Sequence, residues 1–388
     1  MESSAGNLQA LVVCSDDKII RALRRVLSDL EIAVEFCSDA DSAVRKLTRR
    51  RFESVIVDCA EPDVAAKVFA SVRSALCNKR SIAVALIDRQ KAVRTAFELG
   101  AHFVLYKPIS AERAQNSFRA ARALMKSERR RNARVPVEIP VALTGDRGTP
   151  QRKAISCDLG LGGMSLKLSR RALSSGALHV KFELPGAEFS IECAAEIAWD
   201  GGGSLAGIRF VNLSSAQRDH LQSWLGRHAP AMEPDDPPAP CKLTDLSPGA
   251  CYVEMPTPFP VNTRVSLSIR LAKFESQAQG VVRVMHPEVG MGVEFTRTTE
   301  QQGGQLEKFI HNLKTSKEQP QLVVEPEGMN DSEPTESEMQ AWAESEDRLL
   351  QLFQKSTDLN SASFLNVLRS QRASATLKAH AAAAAASV

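Results

Sequence analysis

Residues 157–163 read Cys-Asp-Leu-Gly-Leu-Gly-Gly, and residues 244–250 read Thr-Asp-Leu-Ser-Pro-Gly-Ala. A strand-like run follows each. Ala206-Gly-Ile-Arg-Phe210 and Met291-Gly-Val-Glu-Phe295 repeat a second pattern, and a helix-like run follows both. Self-similarity at two places marks an internal duplication. Around the first copy, short runs broken by Gly clusters predict a small antiparallel β-barrel: Val135–Leu143, Gly163–Leu168, Val180–Leu184, Ser190–Trp199 and Leu205–Phe210. A helix over Ser215–Leu225 is expected to close it. The second copy, 241–316, predicts another such barrel with its first strand missing. Residues 229–240, rich in Pro and acid, have a linker composition.

Upstream the pattern changes. Residues 7–125 alternate strand-like runs (Ala10–Cys14, Ala33–Phe36, Ser54–Asp58, Ile82–Ile87, His102–Tyr106) with helical ones. In residues 18–30, Ile19, Ile20, Leu23, Val26, Leu27 and Leu30 share one face, while Arg21, Arg24 and Arg25 lie outside it. Such βα repeats predict an α/β doubly wound, five-stranded parallel sheet with its site at the carboxyl ends of the strands. Arg122, Lys126, Arg129, Arg130, Arg131 and Arg134 then make a basic junction. From 317 to 388 the chain is expected to be an acidic, largely disordered tail, because 318–347 carry many acids and no Lys or Arg. Leu349, Leu350, Leu352 and Phe353, then Phe364, Leu365, Val367 and Leu368, are placed to line short amphipathic helices.

Composition narrows function. The 388 residues are 43% apolar with a net charge of +3, so cores can form and bulk charge does not select nucleic acid. Eight cysteines fall singly and seven histidines show no metal spacing. Hydrolase, kinase, P-loop and dinucleotide fingerprints are absent, and the expectation is a protein that is not an enzyme. No apolar run reaches the ~18–20 residues of a membrane helix, and the start lacks signal-peptide features, so the chain reads as cytoplasmic, with no membrane insertion.

The first domain resembles a response-regulator receiver, the phosphoacceptor module of bacterial two-component systems. Asp16 and Asp17 follow the first strand, Asp58 ends the third with Glu61-Pro62 behind it, and Lys107-Pro108 ends the fifth. The resemblance implies that Asp58 accepts a phosphoryl group, that Asp16, Asp17 and Asp58 hold Mg²⁺, and that Lys107 supplies a cation. Two departures stand against it. The end of the fourth strand, Ala85-Leu86-Ile87, carries no hydroxyl, and Val104 takes the aromatic switch position. Tyr106 is expected to share the face of Val104 only on a shifted alignment. Both a phosphorylatable receiver and a degenerate one used for dimerisation or docking remain open.

The second domain, 129–228, resembles a PilZ domain. Arg130-Arg-Asn-Ala-Arg134 matches that family's R-x-x-x-R, and Asp158-Leu-Gly-Leu-Gly-Gly163 matches its [D/N]-x-S-x-x-G turn. The resemblance implies binding of cyclic di-GMP. Arg130, Arg131 and Arg134 would fork onto phosphate and guanine, Asp158 would accept from a guanine N–H, and Gly163 would allow close backbone approach. Gly160 stands where the motif has serine. Without an anion the clustered guanidiniums repel, so the arm is expected to be mobile and to order on binding. The second repeat keeps Asp245 and Ser247, ends the motif on Ala250 and lacks R-x-x-x-R, which predicts a non-binding repeat that packs or docks. The leading reading is a cyclic di-GMP-binding adaptor acting on protein partners. The alternative is a phosphorelay or scaffold protein signalling through Asp58 or through receiver dimerisation.

Overall fold

The computed structural model describes residues 7–75, 77–88, 92–145, 152–168, 178–186, 189–200, 204–228, 236–239, 241–271, 274–296, 304, 308–310, 320–330, 345, 347–355 and 362–370. The chain divides into two compact units. One comprises residues 1–128 together with 235–388, and the other comprises 129–234. The first barrel is therefore inserted in sequence between the two parts of the larger unit.

The larger unit begins with β1 (Leu8–Val13), α1 (Asp17–Asp29), β2 (Ile32–Cys37), α2 (Ala40–Arg49), β3 (Ser54–Asp58), α3 (Pro62–Ser74), β4 (Ile82–Ile87), α4 (Val93–Glu98), β5 (Phe103–Tyr106) and α5 (Ala111–Arg131). The strands form a parallel sheet in the order β2-β1-β3-β4-β5. β4 is buried at every position, as an apolar run covered on both faces must be. The order reverses beside β1, so the ends of β1 and β3 flank the crevice where such sheets bind ligands. Val104 and Tyr106 both pack on the layer that contains Ala85 and Ala96. No shifted alignment is needed, because residues two apart on a strand share a face.

The inserted unit contains β6 (Arg134–Pro136), β7 (Pro140–Gly145), β8 (Arg152–Gly160), β9 (Gly163–Leu168), β10 (Leu178–Glu183), β11 (Ser190–Asp200), β12 (Leu205–Val211) and α6 (Ser215–His228). The sheet order is β6-β8-β7-β10-β11-β12-β9, and pairing of β8 with β9 closes it into a barrel. The expected run Val135–Leu143 is split into β6 and β7, since Pro136 and Pro140 withhold ladder donors. β8 was not anticipated, and Asp158 sits within it rather than in a turn. α6 caps the barrel with Leu221, Trp224 and Leu225, and the Trp224 indole donates to the Pro185 carbonyl at 3.0 Å.

The second repeat contains β13 (Lys242–Leu246), β14 (Ala250–Glu254), β15 (Thr263–Leu271), β16 (Phe274–His286), β17 (Gly290–Phe295) and β18 (Gln321–Met329). Their order, β13-β14-β17-β16-β15-β18, makes a half-barrel. β18 lies within the tail expected to be largely disordered, and over Gln321–Met329 the structure has a strand instead. It pairs antiparallel with β15 as β7 pairs with β10, so a tail segment takes the seat of the missing first strand. An open β15 edge would leave a row of unpaired backbone groups, which β18 satisfies. Two further tail segments are helical, α7 (Arg348–Lys355) and α8 (362–370), as the amphipathic spacing predicted.

Within the larger unit, one apolar cluster runs from Leu27, Phe118, Leu124 and Met125 to Val253, Leu267 and Met291. Arg122 and Lys126, on buried positions of α5, both bond Asp236; the Lys126 Nζ contact is 3.1 Å. Glu128 accepts from the Met329 amide at 2.5 Å. The junction expected as a mobile arm is thus the last turns of a helix through Arg131, and one acid of the expected linker is a structural partner. The other acids of that linker, Glu233 and Asp235, lie outside the described residues.

Two outcomes follow. Asp236→Ala removes the shared carboxylate from two buried cations, and should cost the larger unit about 3–5 kcal/mol in chemical denaturation. Burial lowers His102 and His286 from 6.5 to about 4. Below about pH 6.5 the unfolded chain therefore takes up protons that the folded chain refuses. Stability should fall by about 1.4 kcal/mol per histidine per pH unit until about pH 4, as read by denaturation at stepped pH.

Candidate functional site

In the inserted unit the candidate residues lie where α5 leads into the barrel. The motif Arg130-Arg-Asn-Ala-Arg134 spans the last turn of the helix and the first residue of β6. β6 then runs beside β8 with Arg134 opposite Gly160 and Pro136 opposite Asp158. This register brings Arg134 and Asp158 together. Arg134 Nη1 lies 2.5 Å from Asp158 Oδ1 and 3.4 Å from Ser165 Oγ. Ser165 Oγ donates to Asp158 Oδ2 at 2.9 Å, and its amide donates to Oδ1 at 3.2 Å. Arg130 is exposed and Arg131 half-buried.

Arg134 is 45% exposed and Asp158 29%, so their ion pair stabilises the barrel by no more than about 1 kcal/mol. It orients the guanidinium without committing it, and an incoming anion can take it at small cost. Gly160 has a steric role here. A Cβ would meet the Ala133 carbonyl and Arg134 Cγ at 3.2 Å each. Glycine leaves Arg134 room to lie along β8.

Gly163 does something other than expected. Its Cβ would fall 2.1 Å from the Ile208 carbonyl, so the close approach it allows is that of β12. The neighbouring Gly162 has nothing within 4 Å and presents the open turn.

The pairing continues in one lateral row: Asp158 opposite Ser165, Ser165 opposite Gly207, Gly207 opposite Trp199. The Trp199 indole lies against Gly207, whose Cβ would fall 2.0 Å from its Nε1, and the side chain is 42% exposed. Sequence reasoning missed both Ser165 and Trp199. Their signal was alternation outward from the motif, legible only once β8 is recognised as a strand.

The second candidate site lies at the β1 and β3 ends of the parallel sheet. Lys107 Nζ is 2.8 Å from Asp58 Oδ1 and 3.1 Å from Asp88 Oδ1. Asp88, directly after β4, was not anticipated; it brings a carboxylate to the strand end where the receiver pattern has a hydroxyl. Burial works against the charge on Lys107, but bonds to Asp58 and Asp88 outweigh it and raise the lysine above its usual value. The Cys14 thiol, pushed up to about 11 by burial, donates to Asp58 Oδ2 at 3.5 Å.

Asp16 caps α1 instead of joining this cluster. Its Oδ1 accepts from the Lys18 amide at 2.7 Å and the Ile19 amide at 3.3 Å, and these bonds lower its pKa. Asp17 is exposed in the first turn of α1. Among the described residues no three His, Cys, Asp or Glu side chains converge to hold a metal ion. Asp16, Asp17 and Asp58 as arranged do not fit a three-carboxylate Mg²⁺ site.

Residues 128–227 and 229–312 match the PilZ domain family. Each repeat thus has a match to that family. Solved structures similar to parts of the chain include the receiver domain of a sensor histidine kinase from Pseudomonas aeruginosa (21% identity, covering 28% of this chain and 93% of that one, TM-score 0.27). A chemotaxis response regulator of Vibrio cholerae is another (21% identity, 30% and 98%, TM-score 0.28). The PilZ domain of CeSA from a cellulose-synthesizing bacterium is a third (23% identity, 24% and 95%, TM-score 0.21). No curated protein matches the chain. The chain thus joins a parallel α/β domain to two repeats that match the PilZ family. Among the described residues, no helix is long and apolar enough to cross a membrane.

The two motif glycines of the first repeat should separate in behaviour. Gly163→Ala forces β9 from β12 and should destabilise this barrel by about 1–3 kcal/mol or more. Gly162→Ala enters open space and should change stability by less than about 0.5 kcal/mol. Tryptophan fluorescence during urea unfolding reads both, since Trp199 and Trp224 lie in this unit.

Proposed function

We propose that the protein is a non-enzymatic cyclic di-GMP effector whose first PilZ repeat captures the ligand and whose output is protein–protein contact. The observation that carries this reading is the Arg134–Asp158–Ser165 cluster on the barrel surface, beside Arg130 and Arg131 at the end of α5. Guanidinium groups bind phosphate oxygens bidentately, and the three arginines supply charge for both phosphates of the ligand. Asp158, freed when Arg134 turns to phosphate, can accept from a guanine N–H edge. Trp199, farther along the same row, offers a flat aromatic face to a base.

Calorimetric titration of the full-length protein tests this. Cyclic di-GMP should bind at micromolar or tighter concentration, and GTP should not. Arg134→Ala should weaken binding at least about tenfold, since a charge-assisted hydrogen bond contributes about 1.5–3 kcal/mol. Trp199→Ala should weaken it less. No heat with cyclic di-GMP, or undiminished binding by Arg134→Ala, would remove this site from consideration.

For the receiver-like domain we propose a docking role. Lys107 already bonds two carboxylates, and Asp88 would repel a phosphoryl dianion on Asp58. Acetyl phosphate with Mg²⁺ should leave the wild type unlabelled. A label that Asp58→Asn abolishes would reinstate Asp58 as a phosphoacceptor.

A further inference from the structure

The two PilZ repeats can be compared position by position, because each presents the same lateral row. In the first repeat the row is Asp158, Ser165, Gly207 and Trp199. In the second it is Asp245, Tyr252, Gly292 and Val284. The motif turns correspond as well, Gly162 to Gly249. What meets these equivalent positions differs completely.

A Cβ on Gly162 would meet nothing within 4 Å, whereas a Cβ on Gly249 would fall 2.8 Å from Leu350 Cδ1 and 2.9 Å from Asp347 Oδ2. Gly207 is covered by Trp199 of its own barrel, whereas Gly292 is covered by the Phe353 ring of α7, with Cζ at 2.4 Å from the ideal Cβ. Asp347 is bound at both oxygens. Oδ2 accepts from the Gly249 amide at 2.9 Å, and Oδ1 accepts from the Leu349 amide at 2.9 Å, capping α7. A carboxylate thus stands at the motif turn of the second repeat.

Apolar packing completes the seat. Leu349, Leu352, Phe353, Phe364 and Leu368 form one buried cluster with Ala250, Tyr252 and Val284. Phe364 lies 5.2 Å from the Tyr252 ring and 4.5 Å from the His286 ring, centroid to centroid. The opposite face of the same strands, including Cys251, Val253 and Val293, belongs to the core shared with the parallel sheet.

We propose that the face of the second PilZ repeat equivalent to the ligand face of the first is a helix-binding site, held by residues 347–355 and 362–370 of the same chain as a displaceable occupant. The repeat recognises an amphipathic helix capped by an aspartate: the carboxylate takes the motif-turn amide, and Leu and Phe side chains fill the space over Gly292 and Tyr252. The same duplication has then produced two receptors, one open and one filled by a peptide. This inference rests on the repeat geometry and stands whether or not the first repeat binds cyclic di-GMP.

Hydrogen–deuterium exchange on full-length protein tests it. In the wild type, the amides of residues 249–254, 348–355 and 362–370 should be protected. In full-length Phe353→Glu all three segments should lose protection together, by at least about tenfold in rate, while β4 and β8 keep theirs. A synthetic peptide of residues 345–370 should bind Phe353→Glu at about one per chain and restore protection at 249–254. It should bind the wild type at least about tenfold more weakly, because the tethered tail competes at high effective concentration. The same peptide carrying Phe353→Glu should not bind. Should Phe353→Glu prove misfolded at β4 or β8, Leu368→Glu serves in its place. Unchanged exchange in the variants, or equal binding of the peptide by variant and wild type, would overturn the proposal.

Discussion

The larger unit depends on one buried ionic arrangement. Arg122 and Lys126 are on the face of α5 that is turned away from solvent, and both reach Asp236 from beyond the inserted barrel. Cations leave water only if a carboxylate meets them, so the helix and the segment after the insertion specify each other. Glu128 adds a bond to the Met329 backbone, fastening the far edge of the second repeat to the same helix. The apolar cluster shared by the parallel sheet and the half-barrel supplies area; the charges select which surfaces meet.

This arrangement explains why the repeats have diverged. The first barrel closes on itself through β8 and β9 and leaves its motif face to solvent. The second lacks a first strand of its own and borrows β18 from the tail. Its inner face belongs to the core shared with the parallel sheet, and its motif face belongs to α7 and α8. A half-barrel with two apolar faces has to be covered on both, and segments before and after it in sequence do so.

Charge has been reassigned in the same way at the sheet end. Asp58 pairs with Lys107 at the sheet end, Asp88 joins them, and Asp16 serves as a helix cap. The carboxylates on Lys107 are Asp58 and Asp88, whereas the resemblance was carried by Asp16, Asp17, Asp58 and Lys107.

The sequence by itself determined what is local or periodic. The five parallel strands, their helices, the duplication, the Arg134 and Asp158 motifs and the two amphipathic tail helices follow from hydrophobic period and turn chemistry, which neighbouring residues dictate. Tertiary structure alone decided what depends on residues far apart in the chain. The acidic composition around β18 concealed a strand, because its stabilisation comes from the β15 edge. Asp236 read as a linker acid, because its partners lie on α5 more than a hundred residues earlier. Gly163 read as a ligand contact, because only the fold brings Ile208 against it. In each case the deciding partner is distant in sequence, and a hydrogen bond, a buried charge or a close approach forms only when both partners have been brought to the same place.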